Sequence, residues 1–186
     1  KSEYLRLIDG MKPLETEQFC IVYLLGNSTV IDFDRIEKYA KANNCKIIFI
    51  PGKGFQQDRY KEYYPSPEEW LWYMKNAQYV VTNSFHGTAF SIILNKPFNV
   101  ILLNGKNSIQ QNDRIESVFE ILKLNKQHIG LENNPMTINE DWSAVNDRII
   151  RKNEEIGILK FINGEMWYEK NNFINKFFSM LYELQR

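Results

Sequence analysis

The feature that most limits the fold is an alternation along the chain. Short, unbroken apolar runs rich in β-branched and aromatic residues are separated by segments whose apolar residues recur at helical spacing. Phe19-Cys20-Ile21-Val22-Tyr23-Leu24-Leu25 is the first such run, stopped by Gly26-Asn27-Ser28. A run without polar alternation is the signature of a strand buried on both faces, as in a parallel sheet. Phe33, Ile36, Tyr39 and Ala40 then share one helical face, with Asp32 and Asp34 at the end where a helix dipole favours acids. Lys46–Ile50 reads as a second strand, ended by Pro51-Gly52, and a polar, aromatic loop follows to Pro65.

Ser66-Pro67-Glu68-Glu69 has the pattern of a helix start, with Ser at the cap, Pro in the first position and Glu three residues after the Ser. That helix turns Trp70, Leu71, Met74 and Ala77 inward. Tyr79–Thr82 is a third strand, Thr88–Leu94 a short apolar helix and Phe98–Leu103 a fourth strand. Helical patterns recur at Ile115, Val118, Phe119 and Leu122, over Asp141–Leu159, and in the tail at Phe173, Phe177, Leu181 and Leu184. Strands alternating with helices imply an α/β fold: a Rossmann-like three-layer sandwich on a parallel sheet, binding at the carboxyl ends of its strands. The expected division is one domain over 1–160 and a helical tail over 161–186, packing on it or on a partner.

Composition removes several function classes. The 23 Lys and Arg balance the 23 Asp and Glu, so the chain lacks the basic excess a general nucleic-acid binder needs. No apolar stretch is long enough to span a membrane, and the first residues do not read as a signal peptide, so a cytoplasmic protein is expected. Two cysteines, Cys20 and Cys45, are too few for a disulfide framework or a zinc site and suit a reducing compartment. No set of ligands at metal spacing stands out, so no metal is expected.

The segment richest in chemistry is Val80-Val81-Thr82-Asn83-Ser84-Phe85-His86-Gly87-Thr88-Ala89-Phe90-Ser91, which sets Ser84, His86 and Thr88 where a strand hands over to a helix. Such a junction offers unpaired amides and the positive end of a dipole, a seat for phosphate or carboxylate. Gly87 is expected to let the backbone approach a ligand, and His86 to act as a proton carrier or a neutral hydrogen-bonding group. The alternative for the same residues is a plain helix cap beside a satisfied imidazole. Arg114 opens a later helix on the same side of the sheet and could grip an anion through its fork, or pair with Asp113 or Glu116. Lys53, Lys96 and Lys106 are weaker candidates of that kind. The other histidine, His128, is expected at the surface. A serine hydrolase, a P-loop enzyme and a nicotinamide dehydrogenase are disfavoured, because their glycine motifs are absent.

Taken with Pro67-Glu68-Glu69-Trp70-Leu71, Asn76-Ala77 and Asn95-Lys96-Pro97-Phe98, the Ser84–Thr88 block resembles the polysaccharide pyruvyl transferase family. Asn112-Asp113-Arg114-Ile115 and Asp141–Asn146 continue the match, which spans roughly 45–160. The resemblance implies a fold like the C-terminal half of a GT-B-type glycosyltransferase, and transfer of a pyruvyl group from phosphoenolpyruvate, with no further cofactor, to a sugar of a bacterial surface polysaccharide or exopolysaccharide. It implies His86 as the acid/base residue, with Ser84, Phe85, Gly87, Thr88 and Arg114 binding substrate. The acceptor would be a sugar or lipid-linked saccharide, and an N-terminal domain would precede Lys1, since family members are about twice this long. Asn125-Lys126-Gln127-His128 departs from the family, which often has an arginine there. Two other functions remain open: a nucleotide-sugar glycosyltransferase domain, and a non-catalytic module pairing through its tail, for instance with a second copy of itself.

Overall fold

The computed structural model describes residues 3–26, 31–52, 54–55, 57–104 and 109–163. A four-residue helix α1 (Glu3–Arg6) precedes β1 (Phe19–Leu24), α2 (Phe33–Ala42), β2 (Lys46–Pro51), α3 (Pro67–Asn76), β3 (Val80–Thr82), α4 (Phe85–Ile93), β4 (Phe98–Val100), α5 (Ile109–Leu122) and α6 (Trp142–Asn163). The strands form one parallel sheet in the order β2-β1-β3-β4, with Ile21 opposite both Ile48 and Val80. This is the Rossmann-like architecture that the alternation implies.

Period-two alternation splits the strand residues between two apolar layers. Cys20, Val22, Leu24, Phe49, Tyr79 and Val81 pack with Ile36, Tyr39 and Ala40 of α2 on one face. Phe19, Ile21, Ile48, Ile50, Val80, Phe98 and Val100 pack on the other face with residues of α3, α4, α5 and α6. Both faces are covered, so the strands had to be apolar throughout. Burial pushes the Cys20 thiol up to about 12, which leaves it an unreactive core residue.

Local chemistry sets the helix starts. Ser66 accepts from the Glu69 amide at 3.3 Å while the Glu69 carboxylate accepts from the Ser66 amide at 2.8 Å, closing the expected capping box. Asp32 caps α2 by accepting from the Arg35 amide at 3.0 Å, and Asp141 does the same for the Ala144 amide at 3.0 Å. The helix expected over 141–159 runs on to Asn163, and the tail pattern over 167–184 lies outside the described residues.

Two expectations need correction. The helix expected at Thr88–Leu94 begins three residues earlier, at Phe85, because Ser84 rather than the later turn supplies the cap. His128, expected at the surface, is fully buried. Its ring stacks on Phe98 at 4.3 Å with planes 2° apart, and its Nδ1 is 2.8 Å from the Phe98 carbonyl oxygen. Nε2 stands 3.3 Å from the Glu140 carboxylate, close enough for charge attraction but poorly aligned for a hydrogen bond. The polar letters around His128 concealed this. The segment folds back along the sheet edge, where Gly130 N–H donates to the Val100 carbonyl at 2.9 Å, and carries the imidazole inward with it. Among the described residues, no helix is long and apolar enough to cross a membrane, and no group of three or more His, Cys, Asp or Glu could hold a metal ion.

Candidate functional site

The strand order places the site. From β1 the chain moves outward to β2, then crosses back through α3 to β3 on the other side of β1. The loops after β1 and β3 therefore part in opposite directions and leave a crevice at the carboxyl ends, the usual ligand position in open α/β sheets.

Thr82 and Asn83 tie the two lips of that crevice together. Thr82 Oγ1 donates to the Tyr23 carbonyl at 2.7 Å and accepts from the Ser84 amide at 3.0 Å. The Asn83 side chain accepts from the Leu25 amide at 2.7 Å and donates to the Leu25 carbonyl at 2.9 Å, as another strand would. Gln111, in the first turn of α5, donates to the Asn83 carbonyl at 2.6 Å and so draws α5 to the same place. Sequence reasoning passed over Thr82 and Asn83 as positioning residues. Their signal was polar side chains directly following an apolar strand.

Ser84 is buried and caps α4, its hydroxyl accepting from the Gly87 amide at 3.5 Å. Thr88 is turned into the protein, where its hydroxyl donates to the Ser84 carbonyl at 3.0 Å. Phe85 joins the core. Gly87 has a different task from the one the sequence suggested: a Cβ on it would fall 2.9 Å from Thr82 Cβ and 3.0 Å from Thr82 Cγ2. Its missing side chain lets α4 lie against β3. His86 alone of this block is exposed. Arg114 is also exposed, one helical turn beyond Gln111. Lys96, half buried, donates to the Ala77 carbonyl at 2.9 Å, beside the amino ends of β3 and β4, and burial pulls its pKa down. Lys53 and Lys106 lie outside the described residues.

His86 opens into a cavity of about 640 Å³ whose walls include Tyr23, Pro51, Tyr63, Tyr64, Trp70 and Phe90. Trp70 is braced edge-on by Phe90 at 5.0 Å and 88°, and by Tyr23 at 5.6 Å and 70°. The Tyr23 hydroxyl shares a hydrogen bond with Ser84, and burial raises its pKa, so it works as a neutral donor and acceptor. The aromatic loop before α3 supplies Tyr63 and Tyr64. Nothing in the linear pattern indicated that this loop and α4 would meet.

Fold and site together define a Rossmann-like α/β domain whose binding crevice lies at the switch point, with one exposed imidazole in the first turn of the helix that leaves it. The chain belongs to the polysaccharide pyruvyl transferase family, whose model matches residues 3–105. That match is the N-terminal part of this chain rather than the 45–160 the motifs suggested: it takes in β1 and β2, and leaves out Asn112-Asp113-Arg114 and Asp141–Asn146. A short buried strand such as β1 carries no letter-by-letter motif, which is why the eye misses it. No curated protein and no solved structure matches the chain.

Proposed function

We propose that this chain forms the donor-binding part of an enzyme that moves the three-carbon unit of phosphoenolpyruvate onto a saccharide as a cyclic ketal. The observation that carries the reading is His86: an exposed imidazole in the first turn of a helix at the sheet's switch point, in a chain of this family. The donor brings a carboxylate and a phosphate, and first-turn amides favour such groups through their unpaired N–H bonds and the helix dipole. In this reading Ser84, Phe85, Gly87 and Thr88 shape that turn, and Arg114 adds a fixed positive charge from α5. Gln111 supports Arg114's part, since it joins the same helix face to the Asn83 peptide.

The reaction has two steps. A sugar hydroxyl adds to the enol carbon while the methylene carbon takes a proton and becomes a methyl group. His86 gives that proton and receives the one the hydroxyl loses. A second hydroxyl then attacks the same carbon, the carbon–oxygen bond to phosphate breaks, and inorganic phosphate leaves with the remaining proton. No metal or further cofactor enters this scheme.

The test is phosphate release by full-length protein from phosphoenolpyruvate and candidate glycans. Because His86 is exposed, His86→Ala should keep the circular dichroism of the parent and lose activity by about 10²–10⁴-fold, the usual contribution of a positioned acid/base. Near-normal turnover would remove His86 from the chemistry. Arg114→Lys should weaken the rise in melting temperature that phosphoenolpyruvate produces, since an ammonium cannot reproduce the fork. Stabilisation by nucleoside diphosphate sugars and not by phosphoenolpyruvate would favour a glycosyltransferase instead.

A further inference from the structure

We propose that the aromatic cavity beside His86 is the acceptor subsite, and that it takes a neutral pyranose ring against the walls made by Trp70, Tyr63 and Tyr64. The inference rests on the ketal-forming reading above and specifies where the second substrate sits.

Charge supports this assignment. Among the described residues lining the cavity there is no Lys, Arg, Asp or Glu; the titratable ones are His86 and tyrosines. A doubly charged donor would lose its hydration there without gaining an opposite charge, which is unfavourable. A sugar ring has the matching character, with patches of C–H on its faces and neutral hydroxyls at its rim. Aromatic residues with a polar tip, Tyr and Trp, suit such a mixed surface.

Hydrogen bonding agrees. The Trp70 indole N–H is buried and has no acceptor in the protein, an arrangement that ordinarily costs free energy unless something supplies one. Trp70 is also held by Phe90 and Tyr23, so the wall stands ready before a ligand arrives and little ordering is lost on binding. At the rim, Tyr64 is 74% exposed and Leu7 58%, an unusual outlay of apolar surface for a region with no ligand. The volume of about 640 Å³ is ample for a sugar ring. His86 stands in the same wall, so a ring seated here brings its hydroxyls toward the imidazole while the donor remains outside, at the start of α4.

Saturation-transfer NMR on the chain tests this with methyl β-glucoside, methyl β-galactoside, methyl α-mannoside and octyl β-glucoside as probes. At least one methyl glycoside should bind with saturation on its ring protons, and its affinity should fall at least about ten-fold, some 1.4 kcal/mol, in Trp70→Ala and in Tyr64→Ser. Tyr64 is exposed, so Tyr64→Ser keeps the test sound even if Trp70→Ala folds poorly. Excess phosphoenolpyruvate should leave the saturation in place. The proposal is overturned if no methyl glycoside binds, if only the octyl chain is saturated, if phosphoenolpyruvate displaces the sugar competitively, or if Tyr64→Ser binds as the parent does. Phosphoenolpyruvate binding, measured separately by melting temperature, distinguishes the two ideas: sugar binding without donor binding would refute the donor reading and leave the subsite, and the reverse would refute only the subsite.

Discussion

Replacing Gly87 with alanine tests the reason for the glycine in the site block. At an open position inside a helix, Gly→Ala stabilises by about 1 kcal/mol, because alanine gives up less backbone freedom on folding. Here the added Cβ would stand 2.9 Å from Thr82 Cβ, 3.0 Å from Cγ2 and closer still to Oγ1. Thr82 cannot simply swing aside. It is fully buried, and its hydroxyl donates to the Tyr23 carbonyl and accepts from the Ser84 amide. Overpacking of this kind costs about 1–3 kcal/mol, and straining either hydrogen bond adds about 1 kcal/mol. After subtracting the helix gain, Gly87→Ala should be destabilised by about 1–3 kcal/mol, which at ordinary urea sensitivity lowers the midpoint by roughly 0.5–1.5 M. Urea unfolding followed by circular dichroism measures this, with the slope expected unchanged. In a Thr82→Ala background, which removes Oγ1 and Cγ2, the cost of Gly87→Ala should be at least about 1 kcal/mol smaller. A Gly87→Ala protein as stable as the parent would refute the packing argument and restore ligand approach as the reason for the glycine.

Two further predictions concern stability. Ser66→Ala should lower it by about 1 kcal/mol in the same assay by opening the capping box of α3, and no change would mean the box is incidental. His128 is held below its ordinary value of 6.5, mainly by burial and against the pull of the Phe98 carbonyl and Glu140. The unfolded chain therefore takes up this proton more readily, so the contribution of His128 is complete above about pH 6.5 and is lost as pH falls from there through the folded value. Urea midpoints should decline between pH 7 and 5, and His128→Gln should remove much of that decline; parallel pH profiles for the two proteins would exclude His128 as the cause.

The sequence by itself determined the architecture, because burying a sheet on both faces demands apolar strands such as Phe19–Leu24, and because the cap at Ser66 is a local interaction between residues three apart. It also marked Ser84–Thr88 as the site block, and that block does sit at the switch point with His86 exposed. Other properties depend on residues far apart in the chain. Gly87 looked like a ligand-facing glycine until the approach of α4 to Thr82 gave it a packing role. His128 looked solvent-exposed because its neighbours are polar, yet the return along β4 stacks it on Phe98, 30 positions away. The cavity joins β1, β2, the loop before α3, and α4. Periodicity and capping are local and can be read along a chain, whereas a pocket forms where segments distant in sequence converge, and only the packing of the sheet and its helices decides which side chains meet there.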